Sequence, residues 1–222
     1  MTEIRQALPA DLPRLLDLQT HVLAQLPASQ RYYIVPKSEA QFRQYLDSPT
    51  EARIYYLEKD GQLAAQFIFR QTVRGAEEAR HAEALTHLKL GSALPPYGLL
   101  QGALVDPAFR GQHLLRHMLE YAVRIADKSL AFLLARVVPG NIASWVSFLQ
   151  AGFHITAAAY DPDDERQVFY LYRSFMPTSY NNERQGLPWD DFEAIRRLTL
   201  KGWRGCDADR AEGKIIFAKL AG

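Results

Sequence analysis

The stretch Val105-Asp106-Pro107-Ala108-Phe109-Arg110-Gly111-Gln112-His113-Leu114-Leu115 reads as the end of an apolar strand, a tight turn and the opening of a helix. At such a junction the first N–H groups of the helix have no partner inside it. The aligned peptide dipoles add roughly half a positive charge, so the turn suits an anion, typically a phosphate. Arg110 places a fixed charge beside these donors. The spacing of a P-loop is absent, and so is the dinucleotide fingerprint GxGxxG, so nucleotide hydrolysis and hydride transfer both lose support.

A second polar set lies on the next helical stretch, where Asn141 opens a helix, Ser144 follows one turn before Phe148, and Gly152-Phe153 ends it. Asn141 has an ordinary role as helix N-cap and a side chain that can also meet a ligand. Phe148 has no polar handle and reads as core packing. His113 and His117 are four apart on a helix, but neither an HExxH glutamate nor a cysteine set accompanies them, so no metal is expected. Cys206 is a single thiol with no recognisable partner and reads as inert. Arg196, Arg197, Lys201 and Arg204 complement the dipole at a helix end and form a solvated face. Trp189 and Trp203 read as anchors of the tail.

The elements that must position these residues follow from periodicity. Glu3 to Ala7 is a short strand, and Asp11 with Pro13 opens a helix with Leu12, Leu15, Leu16, Val22, Leu23 and Leu26 at helical spacing. Ser38 caps a helix to Leu46, and RIYYLE and QLAAQFIFR flank Asp60-Gly61 as a hairpin. Glu77, Glu78, His81, Glu83 and His87 lie in an aperiodic excursion from Gly75 to Leu90, closed by Pro95-Pro96 before a strand from Tyr97 to Val105. A helix is expected from about Gly111 to Asp127, a buried strand at LAFLLARVV, a helix from Ile142 to Ala151 capped by Gly152, and strands at FHITAAAY and QVFYLYRSF. Pro177 to Pro188 reads as a polar loop. Beyond it Asp190 with Glu193 resembles a capping box for a helix through Lys201, and KIIFAKL is the last strand. The expectation is an α/β fold, a mixed sheet with helices packed on it, whose domain at 1–176 is followed by a helix-strand extension at 177–222.

Composition excludes several classes. With 222 residues, 48% hydrophobic and 23% charged, the chain can bury a core and is neither disordered nor fibrous. Its 26 basic and 25 acidic residues give a net charge of +1, which supplies no global field toward nucleic acid or an anionic membrane. The one cysteine forms no internal disulfide, and the first residues lack a secretion signal, so the cytoplasm is the expected compartment.

Two of these motifs together resemble the GNAT superfamily of N-acetyltransferases. The pyrophosphate loop of that family is an Arg or Gln, two residues, Gly, one residue, then Gly or Ala; Arg110-Gly111-Gln112-His113-Leu114-Leu115 stands in its place. Asn141, Ser144, Phe148, Gly152 and Phe153 match the second hallmark, an Asn opening the next helix and a Gly-Phe ending it. The resemblance covers about four fifths of the chain. It departs in three places: His113 and Leu115 replace the two loop glycines, and Phe148 stands where the family usually keeps a Tyr that protonates the leaving thiolate.

The resemblance implies a GNAT-like acyl-CoA N-acyltransferase fold and an acetyl-CoA-dependent transferase that uses no metal. An amine attacks the thioester carbonyl directly and passes through a tetrahedral oxyanion. In the family the strand before the loop splays from the next strand and the pantetheine arm fills the opening. Mapped onto this chain, Leu104 and Val105 position the thioester, Arg110, Gly111, Gln112, His113, Leu114 and Leu115 hold the pyrophosphate, Asn141 and Ser144 contact the pantetheine arm, and Phe148 lines the thiol end. Val105 and Ser144 carry the catalytic roles, Ser144 as substitute acid. YGLLQGALV holds no carboxylate base, which leaves Glu83, His87 or a water on Tyr97. The acceptor is the primary amine of a small molecule or peptide, and nucleic acid and membrane are not expected partners. Two rival readings stay open: a non-catalytic acyl-CoA-binding or regulatory protein on this scaffold, and an extension that serves as a partner-binding or homodimerising element and not only as packing on the core.

Overall fold

The structure is a computed structural model describing residues 3–71, 95–126, 128–161, 165–176 and 179–220. The chain divides into two units, one of Met1–Thr72 and Gly98–Asp127, the other of Val73–Tyr97 and Lys128–Gly222.

In the first unit, strands β1 (Ile4–Gln6), β2 (Ala52–Lys59), β3 (Gln62–Arg70) and β4 (Tyr97–Val105) lie side by side in sequence order, every pairing antiparallel. Asp60 and Gly61 turn the β2–β3 hairpin with φ of 54° and 76°. Positive values at both central residues match the right-handed twist of the flanking strands. β2 and β3 are buried on both faces because helices cover both. On one face Leu12, Leu15, Leu18 and Val22 of α1 (Leu12–Gln25) and Phe42 of α2 (Glu39–Asp47) pack on Ile54, Tyr56, Ile68 and Leu104. On the other, Tyr55 stacks on Phe67 and meets Tyr121 of α3 (Leu114–Ile125) edge to face. Each fully buried Leu, Ile or Phe contributes about 2 kcal/mol. Ser38 caps α2 as expected, its oxygen accepting from Gln41 N at 3.2 Å while the Gln41 side chain accepts from Ser38 N at 2.9 Å.

The helix expected from about Gly111 begins at Leu114. Pro107–Phe109 form a 3-10 turn, and Gly111 (φ 77°) and His113 (φ 58°) are left-handed, a conformation that cannot continue an α-helix.

In the second unit the strands β5 (Phe132–Val137), β6 (His154–Tyr160), β7 (Gln167–Ser174), β8 (Tyr180–Pro188), β9 (Trp203–Asp209) and β10 (Lys214–Leu220) run in the order β5-β7-β6-β9-β10-β8, again antiparallel. Helices α4 (Ile142–Gln150) and α5 (Phe192–Leu200) accompany them. Trp145, Phe153, Phe169 and Phe217 are wholly buried. α4 ends at Gly152, φ 81°, where a Cβ would lie 1.9 Å from the Arg173 guanidinium that donates to Ala151 O at 2.5 Å. The left-handed backbone favours glycine there, and any Cβ would also have to displace the guanidinium.

The extension departs from its reading in three ways. Tyr180–Pro188, expected as loop, is strand β8, and Trp203–Asp209 is a strand that no apolar alternation announced. α5 is capped by Asp191, which accepts from Ala194 N at 2.9 Å, and not by Asp190. Glu193 instead accepts from the Tyr160 hydroxyl at 3.0 Å. Pairing of Ile155 with Gly205 joins β6 to β9, so residues 179–220 extend the sheet of this unit. No described helix is long and apolar enough to cross a membrane.

Candidate functional site

In the first unit the candidate anion loop is set by a bulge in β4. Gln66 pairs with Leu104 and Ile68 with Gln101, which leaves Gly102 and Ala103 opposite Phe67. Gly102 takes φ 59°, with Ile68 Cδ1 3.0 Å from where a Cβ would stand. Leu104 is buried and Val105 half-buried. The strand then stops because Asp106 folds back: its N–H donates to Ala64 O at 2.9 Å and its Oδ1 accepts from Ala108 N at 2.8 Å.

Phe109 N and Arg110 N donate into this turn, to Asp106 O and Pro107 O. The N–H groups from Gly111 to Arg116 donate to no acceptor among the described residues. Successive donors in left-handed and helical conformations form an anion-binding concavity. Arg110 is exposed and ion-paired with none of the described residues. The sequence reading missed a second cation: Lys59, at the end of β2, donates its ammonium to Gln112 Oε1. No spacing announces it, because only the β2–β3 hairpin brings it to the loop.

A histidine also stands at the end of β4. His21 of α1 places Nε2 3.7 Å from Asp106 Oδ2.

In the second unit Asn141 occupies the N-cap position of α4, but its side chain makes no capping bond; its carbonyl accepts from Ser144 N at 3.0 Å and Trp145 N at 3.3 Å. The turn before it is held instead by Trp145 Nε1, which donates to Pro139 O at 2.9 Å. The Asn141 amide is therefore left for other partners. Ser144 is half-buried, and its hydroxyl has no hydrogen bond among the described residues. The Phe148 ring is 3% exposed and meets Phe153 edge to face at 5.0 Å and 90°.

Glu83 and His87 lie outside the described residues. Tyr97 is buried, its ring stacked on Phe132 at 5.0 Å. Cys206 donates to Ile216 O at 3.4 Å, and burial pushes its thiol up, which suits an inert residue. His154 is pushed down to about 4, first by burial and then by Arg173 and Arg204, so it is neutral at pH 7. Among the described residues no group of three potential metal ligands gathers.

No family model and no curated protein matches the chain. Solved structures do. An N-acetyltransferase from Staphylococcus aureus Mu50 is 15% identical, covering 78% of this chain and 97% of its own, with a TM-score of 0.53. An acetyltransferase of the GNAT family from Streptococcus pneumoniae is 18% identical, covering 79% and 100%, with a TM-score of 0.56. The aminoglycoside acetyltransferase AAC(6')-Ib, solved in complex with coenzyme A and kanamycin, is 12% identical, covering 79% and 95%, with a TM-score of 0.56. The fold is that of the GNAT N-acetyltransferases, an α/β arrangement with a largely antiparallel sheet, as the two sequence motifs implied.

Proposed function

We propose that the chain is an acyltransferase of the GNAT type that moves the acetyl group of acetyl-CoA to a primary amine. The observation that carries this reading is the run of N–H groups from Gly111 to Arg116 without acceptors, flanked by Arg110 and Lys59. That donor set fits a pyrophosphate: backbone N–H groups at a helix start, plus two cations, and no carboxylate within the loop. Arg110, Gly111, Gln112, His113, Leu114 and Leu115 hold the diphosphate of the co-substrate in this reading. The end of β4, Leu104 and Val105, positions the thioester, and an N–H there that polarises the carbonyl is worth roughly 3 kcal/mol in the transition state. In the second unit Asn141 and Ser144 meet the pantetheine arm, Phe148 lines the thiol end, and Ser144 protonates the departing thiolate. Val105 and Ser144 are thus the two catalytic assignments.

The acceptor is an amine of a small molecule or a peptide. The neighbour solved with kanamycin supports the first class. In this reading the protein is cytoplasmic, and residues 177–222 form an extension to the 1–176 domain that packs on the core or on a partner subunit.

Calorimetric titration with acetyl-CoA tests the reading. Micromolar binding by the wild type, weakened at least tenfold in Arg110→Glu, is the expected result. No binding by the wild type overturns the cofactor assignment, and equal binding by the variant removes the loop from it. The buried Phe148 ring favours one rival, a non-catalytic acyl-CoA-binding protein. Binding without amine-dependent thiol release would establish that rival.

A further inference from the structure

We propose that His21, oriented by Asp106, is the general base that takes the proton from the incoming ammonium. The inference rests on the acetyl-transfer reading and supplies the base that β4 itself lacks. Three observations carry it. The first is the pair itself: Asp106 Oδ1 is held by Ala108 N at 2.8 Å, and its other oxygen stands 3.7 Å from His21 Nε2, an ion-pair contact longer than a hydrogen bond. At that distance the carboxylate acts by its charge, stabilising the imidazolium, and Nδ1 is the ring nitrogen away from it that is left to take the proton. The second is location, because Asp106 directly follows Val105, the residue assigned to the thioester.

The third is an unanswered acceptor on the same face. Gln66 pairs with Tyr56 and Leu104, both of which face α1, and alternate residues of a strand share a face. Gln66 is 1% exposed, and its Oε1 is buried with no hydrogen-bond partner among the described residues. It lies diagonally across the ladder from Asp106. A buried amide oxygen is costly to leave unpaired, and an amine N–H is the kind of donor that answers it. The His21 side chain is 51% exposed, so a surface ion pair there adds little stability, while its contact with water lets a proton leave. The charged groups flanking it are Asp106 across from α1 and Asp17 one turn earlier on α1.

The step balances. His21 Nδ1 takes one proton from R–NH3+, and the freed nitrogen lone pair forms the C–N bond to the acetyl carbon. The tetrahedral oxyanion collapses with breakage of the C–S bond. Ser144 gives its proton to the thiolate, which leaves as thiol, and recovers one by taking the second nitrogen proton, while His21 returns the first proton to water. The net change is R–NH3+ plus acetyl thioester to amide, thiol and H+.

The test uses the full chain with acetyl-CoA and two nucleophiles: kanamycin, whose amines are largely protonated at pH 7, and hydroxylamine, which is already neutral there. His21→Gln and His21→Ala are expected to bind acetyl-CoA as the wild type does. With kanamycin their kcat should fall about 100-fold with KM little changed, while with hydroxylamine the loss should be severalfold smaller. Added imidazole should restore part of the kanamycin rate to His21→Ala. Asp106→Asn keeps the oxygen that accepts from Ala108 N and should show a milder kcat loss of the same kind. A kanamycin kcat within twofold of wild type, or an equal loss with both nucleophiles and no imidazole rescue, overturns the assignment. A wild type that binds acetyl-CoA but releases thiol with neither nucleophile overturns it while the cofactor site stands. A wild type that binds no acetyl-CoA overturns both.

Discussion

Trp145 and Trp189 meet edge to face, their ring centroids 5.9 Å apart at 66°. Trp145 is wholly buried, also touches Phe169, and ties the turn before α4 through its bond to Pro139 O. The helix that carries Asn141 and Ser144 is therefore seated on the segment leading into α5. Trp189→Ala should cost about 2 kcal/mol, below the range for a fully buried aromatic because Trp189 is half-exposed. Urea denaturation checks this: the midpoint should fall with an unchanged slope. Ending the chain at Met176 removes β9 and exposes β6 along its edge, so that variant should be insoluble or unfolded.

The residues that face a helix or a strand partner by simple period were readable in advance. The Asp60-Gly61 turn, the Ser38 cap, the Gly152 stop and the strand from Tyr97 to Val105 all lie where local chemistry places them. The loop residues Arg110 to Leu115 were legible for the same reason, since a strand-turn-helix junction is a local pattern. β8 and β9 were not, because YNNERQGLP and WRGCDAD are held by pairing to β10 and lack an apolar face of their own. Lys59 and His21 were invisible for a related reason: each reaches the end of β4 or the loop only through tertiary packing.

Acid should weaken the fold through His154. Its folded value is lowered to about 4 from an ordinary 6.5, so the unfolded chain binds the proton more readily. The sign follows: this contribution is neutral above pH 6.5, and stability falls as pH drops from 6.5 toward 4, by on the order of 1 kcal/mol per pH unit. Thermal midpoints measured across that window should decline in the wild type, and His154→Phe should flatten the decline. An unchanged slope in the variant would place the titration elsewhere.

His113 holds a left-handed conformation, φ 58° and ψ 20°, at the position where a glycine would be relaxed. His113→Gly removes about 1 kcal/mol of backbone strain but gives the unfolded chain more freedom, so net stability should change by less than about 1 kcal/mol. Its larger effect falls on the loop, where loss of the side chain clears the approach to the donors. Acetyl-CoA affinity should rise severalfold by calorimetry. His113→Val, β-branched, should lose both affinity and stability.

Phe148→Tyr asks whether the ring edge reaches the thiol. The ring is 3% exposed with Phe153 against it, so a new hydroxyl must either find a partner or remain buried and unpaired. An unpaired buried hydroxyl costs about 1–3 kcal/mol. A hydroxyl that points toward the leaving sulfur is solvated there and can give it a proton, which the thiolate of coenzyme A, with a pKa near that of cysteine at about 8.5, accepts readily. Thiol release should therefore speed up severalfold with little change in the denaturation midpoint. Stability lost at an unchanged rate would assign Phe148 to the core alone and leave Ser144 as the acid; Ser144→Ala should then slow thiol release equally in the wild-type background and in the variant that carries the tyrosine.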